Sequence, residues 1–151
     1  SLGMTGANVL TAQRLTDLTG LAGALASAGL PIDDLGEADR MFFRFADAGE
    51  TVGYGGLEGQ GPDVLLRSVV VDALARKRGY GRRIVAALER EAAALGAVRL
   101  HLLTTAASQF FDRQGYAPAG RDAAPAAIAA SEQFRSLCPA SAAYLVKRIA
   151  P

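Results

Sequence analysis

The sequence predicts one mixed α/β domain, and three observations support this class. The chain has 151 residues, the length of a single compact domain, and half of them are hydrophobic. Apolar runs of strand length alternate with segments whose apolar residues recur at helical spacing. A hairpin turn at Asp47–Glu50 precedes a strand, a helix and a strand within 64–103, an order that is typical of mixed folds.

The first half of the chain predicts four strands and one helix. The strands are predicted at 8–15, 41–46, 51–58 and 64–72, and the last is an apolar run typical of a strand covered on both faces. The helix begins after Thr16 or Asp17, ends at Gly29, and has an apolar stripe formed by Leu18, Leu21, Ala22, Leu25 and Ala28. Three glycines in the third strand weaken it or mark a close approach: Gly53, Gly55 and Gly56.

The second half predicts three strands, two helices and a helical insertion. A helix at 82–95 ends at Gly96 and places five apolar residues on one side: Ile84, Val85, Leu88, Ala92 and Leu95. A short helix at 105–114 has Thr104 or Thr105 as its cap. The strands are predicted at 98–103, 116–121 and 142–149, and the Ala-rich insertion at 125–137.

Composition and charge exclude several classes of protein. Sixteen basic residues nearly balance fifteen acidic ones, which argues against a nucleic-acid partner. No apolar run reaches membrane-spanning length, and no signal peptide is recognisable. A single cysteine, Cys138, forbids an intrachain disulfide and fits the cytoplasm, and one histidine speaks against a metal site. We expect one domain over 4–151, with residues 1–3 as a cloning remnant.

The segment from Val69 to Arg83 has the residue types of a phosphate-binding turn. Five basic side chains lie between Arg76 and Arg83, after an apolar strand and at the start of a helix. Gly79 and Gly81 let the backbone approach a ligand, and the helix N-terminus adds its positive dipole end. The sequence matches neither a Walker loop nor a dinucleotide fingerprint. The segment therefore predicts a pyrophosphate cradle, and a basic turn that binds nothing is the alternative.

Two motifs carry a resemblance to a known family. Arg76-x-x-Gly79-x-Gly81 resembles motif A of the GNAT superfamily of acyl-coenzyme A N-acyltransferases. The segment Phe110–Tyr116 is similar to the Phe-Tyr-x-x-x-Gly-Phe segment of that superfamily, and the order of elements agrees over essentially the whole chain. Within the superfamily, residues 65–71, 102–105 and 136–141 resemble the arsenic-resistance N-acetyltransferases.

The resemblance implies a fold, a donor and a mechanism. The fold is a mixed central sheet of about six to seven strands flanked by helices. The donor is acetyl-CoA, without a metal, and a substrate amine attacks the thioester directly in a ternary complex. The Val69 N–H would polarise the thioester carbonyl. The residues implied to hold the donor are Val69, Val71, Arg76, Lys77, Arg78, Gly79, Tyr80, Gly81, Arg82, Thr104 and Phe111.

The chain departs from the family pattern at two positions. Phe111 stands where the family has a tyrosine that protonates the leaving thiolate. A thiol is already a fair leaving group, so this loss need not abolish activity. Tyr116, Tyr144, Ser108 and water remain open as the acid. Thr104 stands where many members have asparagine, and it can still cap a helix or bond the cofactor.

Two charged residues are candidates for the acceptor side. Strand alternation places Arg67 with Leu65, Val69 and Val71 on one face, towards a substrate pocket, where it suits an anionic group of the acceptor. Glu58 is the leading general base. The alternative for both is an internal salt bridge between them, since a charge in an apolar run needs a partner.

Three further features have simpler interpretations. His101 lies in an apolar strand, which favours packing over catalysis. Cys138 is interpreted as a small hydrophobic residue rather than an arsenic ligand, because trivalent arsenic prefers two or three thiolates. The acidic residues between Asp33 and Glu50 form a solvated edge or favour a cationic amine.

We therefore expect a cytoplasmic acetyl-CoA-dependent N-acetyltransferase without membrane or nucleic-acid partners. The expected acceptor is a primary amine of a small molecule, with an amino-acid-like or arsenic-containing toxin among the candidates. Protein or peptide N-acetylation and a non-catalytic acyl-CoA sensor are the alternatives. A homodimer is compatible with the sequence.

Overall fold

The computed structural model describes residues 10–75 and 78–150 and shows a seven-stranded sheet of order β1-β2-β3-β4-β5-β7-β6. The strands are β1 Thr11–Arg14, β2 Arg40–Asp47, β3 Glu50–Glu58, β4 Asp63–Val71, β5 Arg99–Thr104, β6 Ala117–Pro118 and β7 Ala143–Arg148. The helices are α1 Thr19–Ser27, α2 Tyr80–Ala94, α3 Ser108–Arg113 and α4 Ala126–Ala129. This confirms the predicted mixed sheet flanked by helices.

The hairpin and the strand–helix–strand unit are both confirmed. Strands β2 and β3 pair in antiparallel fashion around a turn in which Ala48 and Gly49 have positive φ. Strand β4 pairs in parallel with β5, and α2 forms the crossover between them. Within the described residues every other strand pairing is antiparallel. The described sheet is therefore antiparallel except where β4 pairs with β5.

The main core lies between the sheet and α2. The helix buries an apolar stripe that was predicted from its spacing, consisting of Ile84, Val85, Leu88 and Ala92. Leu95 was predicted in this stripe but follows the helix and is 56% exposed. At Gly53 a Cβ atom would lie 2.3 Å from the Val70 carbonyl oxygen. The glycines of β3 therefore mark a close approach within the core.

A smaller core covers the opposite face of the sheet. Leu21 and Leu25 of α1 are fully buried and pack with three residues from the loop and the sheet, Leu35, Phe42 and Val70. Gly56 belongs to this face, since a Cβ there would meet the Phe42 ring at 2.6 Å. Helix α1 and the segment that follows it therefore form the second layer over β2 to β4.

Three predicted elements differ from the structure. The strand expected at 116–121 is reduced to Ala117–Pro118, which pairs with the C-terminal strand β7. The insertion expected as one helix at 125–137 is interrupted, with α4 followed by a π-helical turn at Gln133–Leu137. Two expected features fall outside the described residues. They are the first part of the strand expected at 8–15 and the cloning remnant expected at 1–3. No helix in the described ranges combines the length and apolarity needed to span a membrane.

Candidate active site

Strand β4 contains a β-bulge at the centre of the sheet. Tyr54 pairs with Val70 and Gly56 pairs with Arg67, so three steps along β4 match two along β3. Ser68 lies within this bulge and has a φ of 59°. The extra residue reverses the side-chain alternation beyond it, because successive strand residues point to opposite faces.

Because of the bulge, Arg67 lies on the opposite face of β4 from Val69 and Val71, and the prediction that they share a face is wrong. Val69 and Val71 pack against the α2 core, whereas Val70 belongs to the α1 core, the side on which Arg67 contacts Phe42. The four residues expected to share a face are therefore divided. The prediction assumed an uninterrupted strand, and a serine in a left-handed conformation gave no glycine signal of the interruption.

Beyond the bulge, β4 and β5 separate and open a cleft. Their described pairing ends at Leu65 with His101, although both strands continue. A cavity of about 570 Å³ lies in the cleft. It is lined by Ala28, Gly29, Leu30, Pro31, Asp33, Leu66, Arg67, Ser68, Val69, Leu102, Leu103, Thr104, Thr105, Ala106, Ala107, Phe111, Cys138 and Pro139. Residues from the segment after α1, from both strands and from the loop before β7 therefore meet in one cavity.

The predicted pyrophosphate cradle lies in the segment between β4 and α2, which includes a 3-10 turn at Ala73–Ala75. Gly79 is the N-cap of α2 with a φ of 75°, no side chain caps the helix, and none of its first-turn residues is acidic. The exposed residues Arg78 and Arg82 lie on either side of Gly79. Free helix N–H groups beside cations suit an anion. Arg76 and Lys77, which were also predicted here, lie outside the described residues.

The Tyr80 side chain is held by a hydrogen bond to the neighbouring β2–β3 hairpin. Its hydroxyl donates to Asp47 Oδ2 at 2.5 Å, and the Arg83 guanidinium lies 5.1 Å from its ring centroid. The hydrogen bond to Asp47 raises the pKa of Tyr80. Asp47 therefore links the β2–β3 turn to the first turn of α2. Gly81 lies against protein rather than open space, since a Cβ there would meet the Phe110 ring at 3.2 Å.

Phe111 lines the cavity and is fixed by aromatic contacts. Its ring makes edge contacts with Phe110 and Tyr116, at centroid distances of 5.0 and 5.6 Å. Tyr116 donates to Glu89 at 2.9 Å, and burial with the Glu89 charge raises its pKa. Tyr144 is hydrogen-bonded to His101, and neither tyrosine lines the cavity. Ser108 is exposed outside it, so these three candidate acids lie away from the cavity.

Arg67 is the centre of a buried ion-pair network. Its Nη1 donates to Asp34 Oδ2 at 2.5 Å and to Glu58 Oε1 at 2.8 Å, and its Nη2 donates to Asp34 Oδ1 at 2.6 Å. Arg40 adds a second cation, 2.9 Å from Asp34 and 3.6 Å from Glu58. The Arg67 side chain has no exposed area. The two positive and two negative charges balance, which is the internal salt bridge left open by the sequence.

The network favours the charged forms of Asp34 and Arg67. Burial alone would raise the pKa of Asp34, but hydrogen bonds from Arg67 and Arg40 outweigh it and lower that pKa. Burial would likewise lower the pKa of Arg67, but Asp34 and Glu58 raise it. Glu58, predicted as a base, lies behind Arg67 and is not among the residues that line the cavity.

Three other predicted residues have clear surroundings. Thr104 lines the cavity and its Oγ1 accepts from the Ala107 N–H at 3.0 Å, so it stabilises the turn before α3. Cys138 also lines the cavity, and burial raises the pKa of its thiol. The buried His101 ring is hydrogen-bonded on both sides, from Nδ1 to the Tyr144 hydroxyl at 2.7 Å and from Nε2 to Asp63 Oδ1 at 2.8 Å. These contacts agree with the predicted packing role. No group of three metal-ligating side chains occurs in the described part of the chain.

Sequence reasoning missed two residues of the site. Asp34 was included in a solvated acidic edge, but it is 1% exposed and provides two acceptors to Arg67. The available signal was Arg67 itself, because a charged residue in an apolar run needs a buried acid as its partner. Ser68 was passed over as a strand residue, and nothing in its local sequence marks the bulge.

The comparisons with known proteins agree with this geometry. A family model described as the acetyltransferase (GNAT) domain matches residues 38–118. This match covers more than half of the chain and includes β2 to β5 with α2. The chain therefore belongs to the GNAT acetyltransferase family. No curated protein matches the chain at a significant level.

Solved structures share the fold at low sequence identity. N-acetylglutamate synthase from Neisseria gonorrhoeae, complexed with coenzyme A and N-acetyl-glutamate, aligns with TM-score 0.75 and 19% identity over 94% of this chain. The chain spans 35% of the length of that synthase. An aminoglycoside 6'-N-acetyltransferase complexed with coenzyme A aligns with TM-score 0.67 and 18% identity, covering 93% of this chain and 98% of the other.

Proposed function

We propose that this protein transfers the acetyl group of acetyl-CoA to an amine of a small molecule. The observation that carries the proposal is the closeness of the cavity to the start of α2. A cavity of about 570 Å³ lies between β4 and β5 and is lined in part by Phe111. The neighbouring Phe110 ring lies 3.2 Å from the Cβ position of Gly81, in the first turn of α2, whose N-terminus is uncapped and has arginines beside it. The thioester end of acetyl-CoA suits the cavity, and its pyrophosphate, at the far end of the pantetheine arm, suits the helix N-terminus. The family membership and the coenzyme A complexes of the structural neighbours support the same donor.

The residues that fit the donor are distributed along the cleft. The backbone amides at the start of α2, from Arg78 to Arg82, suit the pyrophosphate, and Gly79 places no side chain over them. The β5-facing edge of β4 around Val69 and Val71 suits the amide groups of the pantetheine arm. The Val69 N–H is proposed to polarise the carbonyl, and Thr104 and Phe111 to line the thioester end. Bound acetyl-CoA supplies an activated acyl group.

The charge of the cavity favours a cationic acceptor. Arg67 is neutralised by Asp34 and Glu58, and of the described residues lining the cavity no other is basic. Asp33 adds an exposed carboxylate to the lining. An ammonium group would be attracted to this end, whereas an amino-acid-like or arsenic-containing anion would have to draw Arg67 from its carboxylates. We therefore propose a cationic amine without an anionic group, and the aminoglycoside acetyltransferases among the neighbours accept that chemistry.

A thiol-release assay with acetyl-CoA tests the proposed activity. The acceptors are kanamycin, spermidine and glutamate at equal concentration, with the acetylated product identified by mass. We expect turnover with one of the two cationic amines and little with glutamate. Faster acetylation of glutamate would contradict the acceptor class, and binding of acetyl-CoA without turnover of any amine would favour the sensor alternative.

Asp33→Asn tests the charge at the acceptor end. We expect KM for the cationic amine to rise about two- to fivefold, because an exposed charge pair is worth at most about 1 kcal/mol. The effect should shrink in high salt, since exposed charges are screened. Glu37→Gln is the matched control, because Glu37 is exposed in the same loop but does not line the cavity. An equal rise in both variants would mean that general surface charge, rather than Asp33, attracts the amine.

Phe111→Tyr tests the absence of the family acid. We expect kcat to stay unchanged or to rise, most clearly at low pH, because the added hydroxyl can protonate the leaving thiolate. The steady-state rate as a function of pH is the measurement. A large loss of kcat in a variant that melts like the wild type would show that the phenylalanine ring shapes the cavity.

A further inference from the structure

Ser68 departs from strand geometry in the middle of the sheet. Its φ of 59° lies in the left-handed region, which residues other than glycine adopt only when their surroundings enforce it. The other non-glycine residues with positive φ in the described ranges, Asp39 and Ala48, lie in turns. Ser68 is also a cavity-lining residue next to Val69. Strained backbone at such a place points to a role for the side chain.

Arg67 holds the Ser68 hydroxyl from behind. The Arg67 Nε donates to Ser68 Oγ at 3.1 Å, while the two Nη atoms are occupied by Asp34 and Glu58. The guanidinium also lies 5.6 Å from the centroid of the Phe42 ring. Because the whole Arg67 side chain is buried and paired, its Nε is a fixed donor. The charge network therefore sets the direction of one serine hydroxyl.

The hydrogen-bonding capacity that remains on Ser68 points to the cavity. A hydroxyl has one donor and two acceptor lone pairs, and arginine can only donate. Within the described residues Arg67 is the partner of Ser68 Oγ, and it occupies one lone pair. The O–H and the second lone pair are left for a molecule in the cavity. A hydrogen bond received from a cation also polarises the O–H group and makes it a better donor.

Phe111 provides no donor to the cavity, and of the other cavity-lining residues Ser68 is the one whose hydroxyl is held by a buried cation and lies next to Val69. Tyr116 and Tyr144 are committed to Glu89 and His101 outside the lining. We infer that Ser68, held by Arg67, is a catalytic residue whose hydroxyl donates to the departing sulfur of the acyl donor. The inference rests on the proposed function and concerns the same cavity.

The acceptor reacts as its neutral amine, after its ammonium proton has been released to bulk water, and Ser68 balances the one proton that remains to be moved. The amine nitrogen forms a bond to the carbonyl carbon and the carbon–sulfur bond breaks. The nitrogen proton passes to the free lone pair of Oγ while the original Oγ proton passes to sulfur. The products are an amide and a free thiol, and Ser68 and Arg67 end as they began. Glu58 and Asp34 act in this scheme as positioning residues, through Arg67.

The test measures the pKa of the coenzyme A thiol bound to the full chain, from the ultraviolet absorbance of the thiolate. The same titration without coenzyme A removes the contribution of Cys138. We expect the bound thiol to titrate about one to two pKa units lower in the wild type than in Ser68→Ala, since a hydrogen bond to a charged group is lost. Ser68→Gly should give the same result as Ser68→Ala. Glycine adopts positive φ without strain, so this variant replaces the alanine variant if the latter does not fold.

Thr105→Ala is the matched control, because Thr105 also provides a cavity-lining hydroxyl. It should leave the pKa of the bound thiol as in the wild type. Equal pKa values in the wild type and both Ser68 variants would overturn the inference, and so would an equal rise in Thr105→Ala. If coenzyme A does not bind the wild type at all, the proposed function itself fails, which distinguishes the two failures.

Discussion

Acetyl-CoA should raise the melting temperature of the wild-type protein and have little effect on Gly79→Val. A ligand that binds only the folded state stabilises it by about 2.7 kcal/mol at a hundredfold excess over Kd. Gly79 lies at the N-cap of α2 with a φ of 75°, and among the described residues beyond its chain neighbours an Arg82 nitrogen lies 3.5 Å from where a Cβ would be. A valine would occupy this space and block the approach of a pyrophosphate to the helix N–H groups. The measurement is a thermal melt with and without the donor.

Gly61→Val separates the loss of binding from backbone strain. Gly61 has a φ of 80° in an exposed turn, and no described residue beyond its chain neighbours lies within 4 Å of its Cβ position. A valine there carries a similar conformational strain far from the cradle. We expect Gly61→Val to melt at a lower temperature and to keep the full acetyl-CoA shift. If Gly79→Val keeps that shift as well, the start of α2 is not the pyrophosphate site.

Arg67→Leu should lower the free energy of unfolding by about 3–5 kcal/mol, the typical effect of removing one partner of a buried ion pair. Asp34 is 1% exposed and would lose two hydrogen bonds, and Glu58 would lose one. Arg99→Leu is the control, because the Arg99 side chain is 39% exposed in its pair with Asp63. It should cost much less, because exposed ion pairs contribute little to stability. Equal losses in the two variants, measured by urea unfolding, would contradict the structural role of Arg67.

The same network gives the wild-type stability a defined pH dependence. The folded-state pKa of Asp34 is lowered, so its contribution is fully present above the unfolded value of about 3.9. It is lost as the pH falls through the lower folded-state value. A stability profile of the wild type should therefore decline on acidification below about pH 4.

The sequence predicted the parts of the fold that depend on local patterns. The hairpin at Asp47–Glu50 and the burial of Ile84, Val85 and Leu88 follow from turn chemistry and helical spacing. Thr104 or Thr105 was predicted to cap the short helix, but α3 begins at Ser108 with Ala107 as its N-cap and no side-chain cap, and the Thr104 hydroxyl accepts within the preceding turn instead.

The features that define the acceptor side depend on long-range packing. Asp34 meets Arg67 across 33 positions of sequence, and no spacing rule pairs them. The bulge at Ser68 arises from the register between β3 and β4, with Gly53 and Gly56 closely packed on either side of it. Strand alternation alone therefore placed Arg67 on the wrong face, and the proposal of a cationic acceptor rests on the paired state of that arginine, which the sequence left open.

A crystal structure of the protein with coenzyme A tests the central claim most directly. The account predicts the pyrophosphate at the backbone amides of Arg78 to Arg82 and the pantetheine arm in the cleft between β4 and β5. The sulfur should lie beside Val69 and within hydrogen-bonding distance of Ser68 Oγ. Coenzyme A bound elsewhere, with the cleft between β4 and β5 empty, would contradict the account.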